Sequence, residues 1–152
     1  MRPPSPEVVR PVVAVLLLGL ALTHLELLSE GFRHAHYLGV QMITGALLES
    51  AAAVAVIADD RTWIWGFALA EGALNALGYL LSRAFGLPLT AAGVAGDWLH
   101  TGALALGFLG LTVTGLASWV LLGRHLHTRR GPVTSARDRA LLPVSPPKRP
   151  EE

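Results

Sequence analysis

Long apolar stretches alternate with short polar segments along the chain as far as residue 123. Each stretch is long enough to cross about 30 Å of hydrocarbon as an α-helix that rises about 1.5 Å per residue. The pattern therefore predicts an all-α fold, a four-helix transmembrane bundle of up-down-up-down topology. The four predicted spans are 11–29, 37–58, 63–82 and 98–123.

The predicted membrane domain, 11–123, lies between two polar segments. Residues 1–10 form an N-terminal flank, and 124–152 form a basic, Pro-rich tail that is predicted to be disordered because it has too little apolar surface to fold. The first span is too long for a signal peptide and has no small-residue cleavage site after it, so we expect it to stay in the chain. A short turn over 30–36 is expected before the second span.

The composition agrees with a lipid environment. Hydrophobic residues make up 52% of the chain and charged residues 15%, whereas soluble domains are about 25% charged. The expected partner of the helices is thus the bilayer. The absence of Cys excludes disulfides, thiolate metal sites and iron–sulfur clusters. The strong preference for Arg over Lys favours a bacterial source.

Basic residues are unevenly distributed between the two sides of the predicted bundle. Arg2, Arg10, Arg61 and the Arg cluster after the last span share one side, and Arg33 and Arg83 lie on the other. The positive-inside rule then predicts a multi-pass protein of the cell membrane with both termini in the cytoplasm. The basic start of the tail is interpreted as a topology anchor beside anionic lipid, so no nucleic-acid partner is expected.

Two polar stripes are predicted inside the membrane. Glu71 and Asn75 share a face of the third span, and Gln41 and Glu49 share a face of the second. Counting from the turn at 59–62 places both carboxyl groups about 12 to 14 Å from that boundary. We therefore predict an intramembrane carboxyl pair, Glu49 and Glu71, accompanied by Asn75. The pair either carries protons or cations, or consists of neutral acids that hydrogen-bond neighbouring helices.

Polar residues become dense toward the predicted outer side. They predict an outward-facing polar pocket, and its candidate residues are His24, Glu26, Gln41, Tyr79, Ser82 and His100. His24 and His100 are the candidate ligands of zinc, copper or haem, since imidazole suits each of these. The other interpretation is that both only make hydrogen bonds, and no cofactor is predicted.

A resemblance accompanies these patterns. Residues 78–88, Gly-Tyr-Leu-Leu-Ser-Arg-Ala-Phe-Gly-Leu-Pro, look like the G-Y-x-L-S-R-x-x-G-L-P segment of a loose group of small bacterial four-helix membrane proteins. His24-Leu25 and Tyr37-Leu38-Gly39 are similar to that group as well. The resemblance implies the topology and no activity.

No motif indicates catalysis. There is no nucleophile elbow and no phosphate-binding Gly-rich loop, so an enzyme is not expected. The first hypothesis is a non-enzymatic accessory or binding component that uses the polar pocket, together with a second copy or a membrane protein partner. The alternatives are a small proton-coupled transporter component that uses Glu49 and Glu71, and a haem or metal-binding redox protein.

Overall fold

The structure, a computed structural model, describes residues 6–86, 99 and 101–129. Within these residues it is all-helical. The helices are α1 (Pro6–Glu26), α2 (Leu28–His34), α3 (His36–Ala58), α4 (Thr62–Phe85) and α5 (Thr101–Arg129). Four of them, α1, α3, α4 and α5, are long and apolar enough to cross a membrane.

Large hydrophobic side chains cover the outside of these four helices. Val54, Leu74, Phe108 and Leu111 are all more than 60% exposed. A contiguous apolar surface of this kind is unfavourable in water and normal against lipid. The outer surface is therefore consistent with a membrane protein.

The first helix begins earlier than predicted. The expected span started at residue 11 because the preceding segment is Pro-rich, yet α1 starts at Pro6. Proline is compatible with the first turn of a helix, where the N–H groups have no partner within the helix. α1 ends at Glu26, three residues before the expected end.

The segment between the first two spans was predicted as a turn over 30–36, and this prediction was wrong. It folds as the short helix α2, and the extended residue Ala35 separates it from α3. The Phe32 ring covers Gly39 so closely that a Cβ on Gly39 would lie 2.3 Å from it. Because Gly39 has no side chain, α2 can pack directly on the start of α3.

The other ends follow local signals. α3 ends at Ala58, and Asp59 is extended. α4 continues to Phe85, beyond the expected end at 82, and stops at Gly86, whose φ of 81° suits a residue without a Cβ. α5 continues to Arg129, past the end of its apolar run. The N-terminal residues 1–5, the connection 87–98 and the tail from 130 onward lie outside the described residues.

Packing is uneven around the bundle. The most extensive interfaces join α4 to α5 and α1 to α3, whereas the contact between α3 and α4 is much smaller. The hydrophobic core lies in the half of the bundle nearest the α3–α4 turn. Its fully buried apolar side chains include Val13, Leu17, Val56, Trp65 and Val113.

The close contact of α4 with α5 depends on glycine. A Cβ placed on Gly72 would lie 2.7 Å from the carbonyl oxygen of Gly110, and one on Gly110 would lie 2.7 Å from that of Gly72. Gly107 similarly accommodates the ring of Tyr79. The small residues of α5 thus allow close helix contact.

Candidate functional site

A cavity of about 610 Å³ lies between α3 and α4, two helices that make few contacts with each other. Helices α1, α2 and α5 complete its wall. Its apolar lining includes Leu27, Leu38, Met42, Leu48, Leu74 and Leu106, and its polar lining includes His24, Glu30, His34, Gln41, Thr44, Glu71, Asn75, Tyr79, Ser82 and Arg83. A volume of this size and a mixed lining are typical of small-molecule sites.

A buried hydrogen-bond network joins three helices beside the cavity. Glu49 of α3 is fully buried, and its Oε2 lies 3.0 Å from Nδ1 of His24 in α1. Asn75 of α4 donates from Nδ2 to Glu49 Oε1 at 2.8 Å. Both oxygens of this carboxyl group therefore have partners, as a buried polar group requires.

Gly45 makes room for this network. A Cβ on Gly45 would lie 3.1 Å from Cε1 and 3.2 Å from Nε2 of His24. The imidazole ring therefore rests against the backbone of α3 one turn before Glu49. The short distance from ring to helix brings Nδ1 within hydrogen-bond range of the carboxyl group.

The orientation of the Asn75 amide follows from its two bonds. Nδ2 donates to Glu49 Oε1 and, at 2.9 Å, to the backbone carbonyl of Glu71. The carbonyl oxygen can only accept, so the nitrogen must be on that side of the amide. Both N–H groups are thereby used, and Oδ1 is left as an acceptor.

Glu71 differs from Glu49 in its surroundings. Only 7% of the Glu71 residue surface is exposed, and Glu71 lines the cavity. Its carboxyl group makes no hydrogen bond within the part of the chain that the structure describes. The two carboxyl groups of the predicted pair are thus both buried, and Asn75 links Glu49 to the backbone of Glu71.

The structure brings together four of the predicted pocket residues. His24, Gln41, Tyr79 and Ser82 all line the cavity. Glu26, in contrast, is exposed and is not part of the lining. The remaining candidate, His100, lies outside the described residues.

A protein site for a metal ion needs several ligands close together. Among residues 6–86, 99 and 101–129 there is no group of three or more His, Asp or Glu side chains suited to a metal ion. His24 Nδ1 is engaged with Glu49, and His34 Nδ1 bonds the carbonyl oxygen of Glu30. Neither histidine forms part of a ligand cluster in this region.

A second polar cluster, which was not predicted from the sequence, lies at the α3–α4 turn. Arg124 of α5 bonds both the side chain and the backbone carbonyl of Asp60, and Trp65 Nε1 donates to Asp60 Oδ1 at 2.9 Å. The Arg124 guanidinium also lies 5.9 Å from the Trp65 ring centroid. We call Asp60, Trp65 and Arg124 the turn cluster.

The ionisation of Asp60 reflects these contacts. Partial burial raises the pKa of Asp60, but the hydrogen bonds from Trp65 and Arg124, together with the charges of Arg124 and Arg10, lower it more. The pKa of this carboxyl group therefore lies below its ordinary value. Asp60 is a paired structural anion.

Arg10 ties α1 to the same end of the bundle. Its Nε donates to the carbonyl of Val56 at 2.9 Å and its Nη2 to that of Ile57 at 2.6 Å. These carbonyls belong to the last turn of α3, which has no further helical N–H groups to bond them. Arg10 and Arg124 were interpreted from the sequence only as flanking charges, because a single sequence carries no signal for such distant pairing.

Comparison with known proteins adds no assignment to this geometry. No protein-family model, curated protein or solved structure matches the chain.

Proposed function

We propose that the chain is a non-enzymatic, multi-pass protein of the cell membrane that binds a small ligand in the cavity between α3 and α4. The observation that carries this proposal is the cavity itself, which is lined by buried His24 and Glu71 and half-buried Asn75 beside apolar side chains. Buried polar groups that face an open space are costly unless something bonds them. The Glu71 carboxyl group, which has no partner among the described residues, therefore requires a ligand or water.

The bundle has up-down-up-down topology with both ends in the cytoplasm in this proposal. Arg10 and Arg124 reach the α3–α4 turn, which also contains Arg61. A concentration of Arg at one end supports a cytoplasmic turn by the positive-inside rule. The α2 side of the cavity, lined by Glu30 and His34, then faces outward.

The orientation can be tested because the chain has no Cys. A cysteine introduced at exposed Ser29, in the first turn of α2, should react in intact cells with a maleimide that does not cross membranes. One introduced at Asp59 should react only after the cells are opened. Labelling of Asp59→Cys in intact cells would contradict the proposed orientation.

Filling the cavity tests the binding function. A Cβ on Gly78 would meet no atom within 4 Å, and Gly78 lines the cavity, so Gly78→Phe should occupy its space without displacing a helix. Gly115→Phe is the matched control, since Gly115 also has open space around it and is not part of the lining. Native mass spectrometry of the proteins in gently extracted form measures any bound small molecule.

We expect a bound mass on the wild type and on Gly115→Phe, and none on Gly78→Phe. A wild-type protein without any bound mass, or one whose bound mass persists in Gly78→Phe, would refute binding in this cavity. The same spectra report whether the chain forms a homo-oligomer or retains a membrane protein partner, as the accessory role proposes.

A second candidate function is a component of a proton-coupled transporter. The hydrogen bond of His24 with Glu49, beside cavity-lining Glu71, favours it, since titratable groups inside a membrane domain often form proton relays. Four helices are few for a transporter, so this function requires an oligomer. The interior of proteoliposomes should then become acidic when the medium outside is made more acidic. Glu49→Gln and Glu71→Gln should abolish this change.

A further inference from the structure

Two side chains, Glu71 and Asn75, offer hydrogen-bond acceptors at the turn-side end of the cavity, which is the end nearest the α3–α4 turn. Glu71, a residue that is 7% exposed, presents a carboxyl group that has no hydrogen-bond partner among the described residues. One helical turn further, Asn75 uses both of its N–H groups and offers only Oδ1. A ligand at this end must therefore donate hydrogen bonds.

The basic groups of the cavity do not neutralise Glu71. Arg83 lies twelve residues along α4, about 18 Å away at 1.5 Å per residue, and it lies beside the ring of Tyr79. His34 is on α2, at the same end as Arg83, together with Glu30. His24 directs Nδ1 to Glu49. Glu71 therefore forms no ion pair with a basic residue in the described part of the chain.

The remaining wall is apolar. Leu48 and Leu74 lie near Glu71 along α3 and α4, and Leu27, Leu38, Met42 and Leu106 extend the apolar lining. A charged group without apolar parts, such as a hydrated metal ion, would leave these side chains unused. The lining instead suits a molecule with an apolar body.

We infer that the cavity binds hydrophobic amines in their protonated form, with the ammonium group on Glu71 and Asn75 Oδ1 and the apolar body along the leucine and methionine side chains. This inference rests on the proposed function, because it names the class of ligand for the same cavity. A charge-assisted hydrogen bond to a buried carboxylate is stronger than a neutral one. Glu71 accordingly selects the cation over a neutral or anionic molecule of the same shape.

Three probes with the same hydrocarbon chain test this selection: octylamine, octanol and octanoate. Each is titrated at neutral pH by calorimetry into the protein in nanodiscs, and titration into empty nanodiscs corrects for partition into lipid. We expect octylamine to bind at least about tenfold more tightly than octanol, since a charge-assisted hydrogen bond contributes roughly 1.5 to 3 kcal/mol. Octanoate should not bind.

Variants identify the groups responsible. Glu71→Gln keeps the size of the side chain and should weaken octylamine binding by about tenfold or more, while Glu71→Asp, which keeps the charge, should retain most of it. Glu7→Gln removes an exposed carboxyl group at the start of α1 and should leave binding unchanged. Thermal melting of each variant in the same nanodiscs identifies any variant that fails to fold. If Glu71→Gln does not fold, octylamine binding to Glu71→Asp, which keeps the charge, is compared with binding to the wild type.

The outcomes separate the two proposals. Equal binding of the three probes, blocked in each case by Gly78→Phe, would overturn the preference for amines and leave the binding cavity in place. Octylamine binding that is unchanged in Glu71→Gln but lost in Gly78→Phe would overturn the role of Glu71. Octylamine binding that is unchanged in Gly78→Phe would overturn both proposals, because the probe would then bind elsewhere.

Discussion

Helix α4 meets its two neighbours in opposite ways. Against α5 it packs backbone to backbone at Gly72 and Gly110, and no space is left for a Cβ on either residue. Against α3 it makes few contacts and encloses a cavity beside Glu71 and Asn75. The first interface holds the bundle together, whereas the second leaves polar groups beside an open space.

The same contrast separates the two ends of the bundle. At the α3–α4 turn, Asp60 is bonded by Arg124 and Trp65, and the apolar core is dense around Trp65. Around the cavity, Glu71 has no hydrogen-bond partner in the described residues. A polar residue whose hydrogen bonds are made within the protein, such as Asp60, contributes to stability. A polar residue without such a partner beside a cavity, such as Glu71, requires a ligand or water.

The largest effect is expected at the α4–α5 contact. Gly110→Leu would force a side chain into the backbone of α4, and overpacking of this kind should cost about 3 kcal/mol or more of the unfolding free energy. Unfolding in mixed micelles with increasing SDS measures this loss. Gly78→Leu makes the same exchange in open space and should be nearly neutral, so equal losses in the two variants would contradict the difference between the interfaces.

A smaller loss is expected within the hydrogen-bond network. Glu49→Leu removes the hydrogen-bond partner of His24 Nδ1 and of Asn75 Nδ2, and the loss of both bonds should cost about 2 to 3 kcal/mol. Glu49→Gln retains a carbonyl oxygen and the shape of the side chain, so most of the stability should return. If Glu49→Leu unfolds at the wild-type SDS fraction, the network contributes nothing to stability.

The turn cluster should contribute less because it is partly exposed. Arg124→Gln should lower the unfolding free energy by up to about 1 kcal/mol at neutral pH. The pKa of Asp60 is lowered in the folded protein, so this contribution is present above the ordinary value of 3.8 and is lost as the pH falls through the folded-state pKa. Asp60→Asn should weaken the pH dependence in that acidic range, and an unchanged acid unfolding curve would exclude this linkage.

The sequence predicted much of the fold because a bilayer fixes the length and apolarity of a helix that crosses it. Counting from the short turn predicted Glu49 and Glu71 at the same level, whereas the structure bonds Glu49 to Asn75, one helical turn further along α4 than Glu71. The partnership of His24 with Glu49 was not foreseen. It depends on the rotation of α1 against α3, which tertiary packing sets and which no periodicity within either helix records.

Glu26 is a second residue for which the direction of the side chain around the helix was not predicted. It follows His24 by two residues, so its side chain points about 200° away around the helix, and it is exposed outside the cavity. α2 was missed for a different reason. Its seven residues are stabilised by the contact of Phe32 with Gly39, and a short helix held by tertiary packing has no periodic pattern long enough to predict it.

The smallest effect is expected at the second ion pair of the turn. Arg61 Nε lies 3.0 Å from Asp59 Oδ2, but the two side chains are 71% and 41% exposed, so solvent screens their attraction. Arg61→Gln should therefore change the unfolding free energy by less than about 0.5 kcal/mol, measured in the same SDS titration as Arg124→Gln. The two variants remove one positive charge each beside neighbouring aspartates. Equal losses would mean that net charge at this turn, and not the hydrogen bonds of the turn cluster, stabilises this end of the bundle.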